Sequence, residues 1–140
     1  MKANPYLRWL SAHTPSIYWH DSAVRAEQLV AFENGAAGMT TNPFLVSSTL
    51  KNDRPFWADR LKTLPTDLSG EEKAERLIHL VTGFYAEALY PLYKEGVPGK
   101  GYVCAQTNPL KTGDEAYMVR QAKALSDWAP NIVVKLPATG

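Results

Sequence analysis

The sequence predicts an α/β fold, a (β/α)8 barrel of which this chain supplies about the first four strands. Short apolar segments alternate with amphipathic ones in the order strand, helix, strand, helix, strand, helix, strand, which is typical of parallel strands with helical crossovers. Polar side chains end the predicted strands, namely Asp21, Asn42, Gln106 and Lys135. In a barrel that end is the active face. A doubly wound dinucleotide-binding sheet would instead need a glycine-rich turn after the first strand, where residues 22–25 contain no glycine.

The chain begins with a predicted helix and the first strand. Residues 4–13 predict a short helix because Pro5 stands at its first position, where the missing N–H costs nothing. Residues 16–21 alternate aromatic and β-branched side chains between two faces, which predicts a strand. We therefore interpret residues 1–15 as an N-terminal helical extension and residues 16–140 as the N-terminal half of a barrel.

A helix and a second strand come next. Residues 23–34 carry apolar side chains at helical spacing, and Gly35 follows where a left-handed stop is favoured. Residues 36–41 are small and apolar, and Asn42-Pro43 after them favours a turn directly into a helix. This segment is therefore predicted to be a buried strand.

The middle of the chain predicts only helices. Residues 43–64 predict two short helical pieces, interrupted by polar residues and a proline. Ser69 and Glu72 have the spacing of a capping box, which predicts the start of a long amphipathic helix. Pro91 and Gly96 are expected to bring that helix to an end.

The last third repeats the strand and helix pattern. Residues 102–106 predict the third strand after a turn rich in glycine and proline. Thr112 and Glu115 form a second predicted capping box, and Pro130 is expected to stop the helix that they open. Residues 131–136 predict the fourth strand, because residues 132–136 are apolar apart from Lys135 and three of them are β-branched.

Composition excludes several classes of function. The 140 residues carry 15 Lys and Arg against 14 Asp and Glu, a formal net charge of +1. This balance disfavours binding to nucleic acid or to an anionic membrane surface. The single Cys104 excludes an intrachain disulfide framework and suits a reducing compartment. No secretory signal begins the chain, so we expect a cytoplasmic protein.

Lys135 carries the sharpest chemical signal. It interrupts an apolar strand, where burial lowers the pKa of an amine and allows it to attack a carbonyl to form a Schiff base. The alternative is a lysine that is paired with a carboxylate or that extends to the strand end. Asp21 is the expected partner, as a proton shuttle or as the counter-charge of the lysine. It could instead cap the first crossover helix.

Two amides and the cysteine have more modest predicted roles. Gln106 and Asn42 cannot titrate, so each would hold a hydroxyl, a carbonyl or a water by hydrogen bonds, or would simply satisfy the backbone at a turn. Cys104 is interpreted as a small core residue rather than a nucleophile. The three histidines are dispersed, and we predict no metal site.

Two motifs resemble those of the transaldolase family, which are class I Schiff-base aldolases with a (β/α)8 fold. Residues 38–43, Gly-Met-Thr-Thr-Asn-Pro, are similar to its G-x-T-T-N-P signature. Residues 133–139, Val-Val-Lys-Leu-Pro-Ala-Thr, are similar to its V-K-I-P-x-T Schiff-base strand. The resemblance covers the chain after about residue 16 but only the N-terminal half of a family member.

The resemblance implies an activity and a role for each residue. Lys135 would form the Schiff base with a ketose donor, and Asp21 would be the acid/base group for carbon–carbon cleavage. Asn42, together with Thr41, would bind the dihydroxyacetone unit, which is passed to an aldose acceptor. The implied setting is carbohydrate metabolism in the pentose phosphate pathway, without a cofactor.

Gln106 departs from the family pattern. The family has V-S-x-E-V at the end of the third strand, and this chain has Val-Cys-Ala-Gln-Thr at residues 103–107. Glutamate there helps to activate the water that forms and resolves the Schiff base, whereas glutamine can orient that water without taking its proton. A glutamine at this position resembles the pattern of the related fructose 6-phosphate aldolases, so reversible aldol cleavage is the alternative reaction.

The predicted barrel half leaves two further expectations. The first and fourth strands would be sheet edges with unpaired backbone groups, so we expect the chain to be part of a longer protein or to complete its sheet with another copy. A catalytically incomplete barrel fragment, acting as an assembly module, is the alternative to an enzyme. The expected partners are a small sugar or sugar phosphate, with neither nucleic acid nor membrane.

Overall fold

The computed structural model describes residues 4–137, which form a four-stranded sheet with helices. The strands are β1 (Trp19–Asp21), β2 (Gly38–Thr40), β3 (Val103–Gln106) and β4 (Ile132–Lys135). The helices are α1 (Pro5–His13), α2 (Arg25–Glu33), α3 (Pro43–Asn52), α4 (Arg54–Leu61), α5 (Gly70–Lys94) and α6 (Glu115–Ser126). A 3-10 turn, Pro109–Lys111, lies between β3 and α6.

The sheet has the simplest parallel topology. Its order is β1-β2-β3-β4, and each neighbouring pair is parallel. This confirms the predicted α/β fold, since neighbouring strands that follow one another with helices between them are the repeating unit of a (β/α)8 barrel. The strands are shorter than predicted. The Ala37 N–H donates to the Tyr18 carbonyl at 2.8 Å, so pairing of the first two strands begins there and residues 16 and 17 precede the sheet.

The register assigns one face of the sheet to the helices. Met39 is aligned with Val103, and Val103 with Ile132. All three side chains are buried and belong to the core cluster. Because side chains alternate along a strand, the residues before and after them point to the opposite face. We call this second face the open face, since Val133 on it is 39% exposed.

Aromatic side chains fix the helices against the sheet. Trp57 of α4 is fully buried and packs edge-to-face on Phe84 of α5, with ring centroids 5.3 Å apart. The Trp57 indole N–H donates to the Thr49 hydroxyl at 3.2 Å. The Tyr85 hydroxyl donates to the carbonyl of Ala23 at 2.8 Å, and burial raises the pKa of Tyr85 to about 12. The long helix is therefore anchored to the segment that follows β1.

The ends of α5 are partly as predicted. The Ser69 and Glu72 capping box is confirmed, with both reciprocal hydrogen bonds formed. The helix does not stop at Pro91 but runs through it to Lys94, and Gly96 follows with φ +70°. Proline removes a bond to the carbonyl of residue 87, and both positions are exposed, so water can replace that bond. Within the described part of the chain, no helix has the length and apolar character to cross a membrane.

The predicted capping box at Thr112 and Glu115 is wrong. The N-cap of α6 is Asp114, whose side chain accepts from the Tyr117 N–H at 2.9 Å. Thr112 has helical backbone angles and ends the preceding 3-10 turn, so it lacks the extended conformation of an N-cap. Thr112 and Asp114 are two candidate N-caps two residues apart, and the 3-10 turn that ends at Thr112 leaves Asp114 to cap the helix.

Candidate active site

Polar side chains collect at the C-terminal edge of the sheet. Asp21, Gln106 and Lys135 are the last residues of β1, β3 and β4. Asn42 follows β2 by two residues. Because the strands are parallel, these ends lie at the same edge. The predicted positions are thus brought to one side of the molecule.

Three of these residues, Asp21, Gln106 and Lys135, share the open face with Thr40. Asp21 is aligned with Thr40, and Gln106 is aligned with Lys135. The helix-facing residues of the four strands are His20, Met39, Val103 and Ile132. Each polar residue lies one or three positions after the helix-facing residue of its own strand, so all four polar side chains point away from the helices. Asp21 is exposed, and the other three are partly buried. Side chains of four neighbouring strands therefore form one polar surface.

Lys135 is less buried than we expected. The prediction of a buried lysine is wrong, because the side chain of Lys135 is partly exposed on the open face. Ion pairs in the described residues join Lys62 to Asp59 and Lys100 to Glu95, and Lys135 makes none. The alternative of a lysine neutralised by a contacting carboxylate is not realised in this part of the chain.

Asp21 contacts Thr40 and caps no helix. The Thr40 hydroxyl donates to Asp21 Oδ1. The N-cap of α2 is Val24, and the carboxylate that reaches the first turn of this helix is Asp53, which accepts from the Arg25 N–H at 3.1 Å. The capping alternative for Asp21 is therefore wrong, because the helix begins four residues later.

Cys104 lies between the two charged groups. Burial raises the pKa of its thiol, the positive charge of Lys135 opposes this rise, and the negative charge of Asp21 adds to it. The side chain is only 8% exposed. A buried thiol with a raised pKa is a poor nucleophile, which agrees with its interpretation as a packing residue.

Thr41 and Asn42 make local hydrogen bonds. Thr41 is fully buried, and its hydroxyl donates to the Cys104 carbonyl at 2.7 Å, which ties β2 to β3. Asn42 caps α3, and its Oδ1 accepts from the Leu45 N–H at 2.8 Å. The cap uses the amide oxygen, so the amide NH2 of Asn42 is left to donate elsewhere.

Gly38 is required by close packing on the open face. It is aligned with Trp19, and a Cβ at this position would lie 2.5 Å from the indole ring. Trp19 also stacks on Tyr102, with ring centroids 6.5 Å apart, and its indole N–H donates to the Gly99 carbonyl at 2.7 Å. An aromatic cluster thus fills the open face at the opposite end of the strands from the polar residues.

Gln106 also borders a cavity beside the polar surface. The cavity measures about 400 Å3 and lies between α5, the 3-10 turn and α6. It includes Gln106 but neither Asp21 nor Lys135. This cavity therefore does not enclose all the predicted site residues, and the polar surface itself is an open one.

The histidines take no part in this surface. His20 is aligned with Met39 and faces the helices, and burial lowers its pKa. His79 stacks on Trp128, and burial and the Arg76 charge lower its pKa. Among residues 4–137, no group of three or more His, Cys, Asp or Glu could hold a metal ion.

Thr40 is the site residue that sequence reasoning missed. The motif at residues 38–43 contains two threonines, and only the second was assigned a binding role. Strand alternation could have identified the first, since Thr40 shares a face with Gly38. Residues 138 and 139, which end the second motif, lie outside the described residues.

The comparison with protein families agrees with this arrangement. The family model for transaldolase/fructose-6-phosphate aldolase matches residues 18–140. The match begins one residue before β1 and includes all four strands. A comparison with curated proteins gives no match. The family match covers well over half of the chain, which therefore belongs to the transaldolase/fructose-6-phosphate aldolase family.

Proposed function

We propose that this chain carries the Schiff-base half of an enzyme that transfers a dihydroxyacetone unit from a ketose, such as fructose 6-phosphate, to an aldose acceptor. The observation that carries the proposal is Lys135, at the end of β4 on a polar surface and without an ion pair in the described residues. An amine that no carboxylate holds is available to a carbonyl. The family match supports the same chemistry.

Lys135 begins the reaction as the nucleophile. Its neutral amine attacks the ketose carbonyl carbon, and the oxygen leaves as water to give a protonated imine. This imine draws electrons from the neighbouring carbon–carbon bond. The lysine nitrogen therefore supplies the electron sink, and the reaction needs neither a metal nor an organic cofactor.

Asp21 takes the proton that bond cleavage releases. Its carboxylate accepts the proton of the hydroxyl two carbons away from the imine, the carbon–carbon bond breaks, and an aldehyde departs. The electron pair of the broken bond remains on the three-carbon unit as an enamine. Two strands separate Asp21 from Lys135, and the substrate would occupy the space between them.

Asn42 and Thr41 would support the three-carbon unit. The amide NH2 of Asn42 can donate to a substrate hydroxyl while its oxygen keeps α3 capped. Thr41 would act indirectly, because its hydroxyl is buried against the Cys104 carbonyl and holds β2 in register with β3. The motif thus combines a ligand-binding amide with a structural hydroxyl.

The second candidate reaction is reversible aldol cleavage, and Gln106 is the observation that favours it. Gln106 is aligned with Lys135 and faces the same surface. A glutamine can orient a water but cannot take its proton. After cleavage, protonation of the enamine and hydrolysis of the imine would release dihydroxyacetone, whereas attack on an acceptor aldehyde would complete transfer.

Product analysis distinguishes these reactions. The protein is incubated with fructose 6-phosphate, with and without an aldose acceptor, and the released aldehyde and dihydroxyacetone are quantified. If the protein catalyses transfer, the acceptor accelerates the release of aldehyde and lowers the amount of free dihydroxyacetone. If it catalyses cleavage, equal amounts of aldehyde and dihydroxyacetone form without an acceptor. Absence of aldehyde in every mixture would contradict both reactions and leave the non-catalytic assembly module as the function.

We place the proposed reaction in the cytoplasm and in the pentose phosphate pathway.

Gln106→Glu is expected to raise the ratio of transfer to cleavage about tenfold, a change of about 1.4 kcal/mol between two competing barriers. A carboxylate that accepts a hydrogen bond from the water makes that water a weaker acid toward the enamine carbon. The intermediate then survives until an acceptor arrives. The measurement is the ratio of the two products at a fixed acceptor concentration.

Gln121→Glu is the matched control. Gln121 is also partly buried beside the same cavity, and its side-chain oxygen accepts from the Asn108 N–H at 2.6 Å, a bond that glutamate can keep. We expect the product ratio of this variant to equal that of the wild type. An unchanged ratio in Gln106→Glu would show that residue 106 does not control the water.

A further inference from the structure

The two adjacent threonines of β2 and the turn after it serve opposite faces of the sheet. Thr40 faces the polar surface, and its hydroxyl donates to Asp21 Oδ1. Thr41 faces the interior, is fully buried, and donates to the Cys104 carbonyl. Neighbouring residues with the same side chain thus make one contact with a carboxylate and one with the backbone.

From this contact we infer that Thr40 is the positioning residue of Asp21, fixing its carboxylate for proton transfer to and from the substrate. The inference rests on the proposed function and adds a residue to it. Asp21 is exposed at a strand end, where a carboxylate would otherwise sample several rotamers. Within residues 4–137, the bond from Thr40 is the hydrogen bond that its side chain makes.

The backbone holds donor and acceptor side by side. Asp21 and Thr40 are aligned partners in the β1 and β2 ladder, so their Cα atoms are fixed by the sheet. Threonine is branched at Cβ, which restricts its χ1 angle and hence the position of its hydroxyl. A stiff donor on a fixed strand therefore limits the orientation of the carboxylate.

The bond also has an electrostatic consequence. A hydroxyl that donates to a carboxylate stabilises the charged form, which is the form that accepts a proton. It occupies Oδ1 and leaves Oδ2 for the substrate hydroxyl. Thr40 would thus keep the Asp21 carboxylate oriented without touching the reacting atoms.

Three variants test the assignment. Thr40→Val keeps the shape and removes the hydroxyl, Thr40→Ser keeps the hydroxyl, and Thr41→Val removes the other hydroxyl of the pair. The readouts are kcat and KM for fructose 6-phosphate cleavage and the midpoint of urea unfolding. The NMR chemical shift of the Asp21 carboxyl carbon at one fixed pH reports the hydrogen bond from Thr40 without substrate.

The three variants are expected to differ in kcat, in the Asp21 resonance and in stability. Thr40→Val should lower kcat about tenfold, leave KM near its wild-type value and move the Asp21 carboxyl resonance, because the carboxylate loses the donor that orients it. Thr40→Ser should restore kcat and the resonance to near the wild-type values. Thr41→Val should lower the urea midpoint and leave the Asp21 resonance in place, because its hydroxyl donates to the Cys104 carbonyl.

If the wild type is active and Thr40→Val changes neither kcat nor the Asp21 carboxyl resonance, the assignment of Thr40 is overturned and the proposed function stands. A wild type without ketose turnover would overturn the proposed function, and the Asp21 resonance would then decide the contact between Thr40 and Asp21 by itself. If Thr40→Val fails to fold, Thr40→Ala takes its place, because the position is only partly buried.

Discussion

Lys135→Met is expected to lower kcat for ketose cleavage by at least about four orders of magnitude. Methionine matches the length of the lysine stem but has no amine, so no imine can form and the carbon–carbon bond has no electron sink. The fold should survive, because Lys135 makes no ion pair among the described residues. The measurements are the rate of aldehyde release and the thermal unfolding midpoint.

Lys111→Met is the matched control for this variant. Lys111 is exposed in the 3-10 turn that follows β3, near the same edge of the sheet but outside the polar surface. We expect it to retain the wild-type rate. Turnover in Lys135→Met that is comparable to Lys111→Met would contradict the assignment of the nucleophile.

Asp21→Asn is expected to lower kcat by about 10²–10⁴-fold, the usual contribution of a general acid–base group. The asparagine oxygen can still accept from the Thr40 hydroxyl, so the side chain should keep its place. The amide cannot take the proton of the substrate hydroxyl, so cleavage should slow while imine formation at Lys135 continues. The two steps are measured separately, as aldehyde release and as reduction-trapped enzyme.

Asp59→Asn is the control for the loss of one carboxylate. Asp59 is an exposed side chain of α4 that pairs with Lys62 directly after that helix, and such surface pairs contribute little to stability. We expect no change in either step. If Asp21→Asn lost imine formation and cleavage equally, the carboxylate would be assisting the lysine rather than the bond-breaking step.

The order of strands and the shared polar edge could be predicted from the sequence. Alternation of apolar segments with helical ones dictates parallel pairing, and parallel pairing brings Asp21, Gln106 and Lys135 to the same end. Because side chains alternate along β4, Lys135 shares a face of the sheet with Val133, and Ile132 points to the other face. These conclusions depend only on the alternation of strands with helices and on the two-residue period of a strand.

The helix ends were harder to predict because several residues compete for each one. Asp114 prevails over Thr112 since the 3-10 turn holds Thr112 in a helical conformation. Pro91 fails to stop α5 because water can satisfy the exposed carbonyl that it leaves unbonded. In both cases the outcome depends on neighbouring turns and on exposure, which short motifs do not specify.

The pairwise contacts of the site depend on register. The contact of Asp21 with Thr40 requires that β1 and β2 align these two residues. A shift of one position would place Met39 there instead and would turn the hydroxyl away. Asp21 does not pair with Lys135 as its counter-charge, since β2 and β3 lie between them. Its role as a proton shuttle stays a prediction.

Reductive trapping tests the central claim, that Lys135 forms an imine with a ketose. The protein is treated with borohydride in the presence of fructose 6-phosphate or dihydroxyacetone, digested, and analysed by mass spectrometry, with Lys135→Met and a sugar-free sample as controls. We predict that the reduced sugar unit is attached to the peptide that contains Lys135, only when the ketose is present. Absence of an adduct, or an equal distribution of adducts over exposed lysines such as Lys62 and Lys111, would contradict the account.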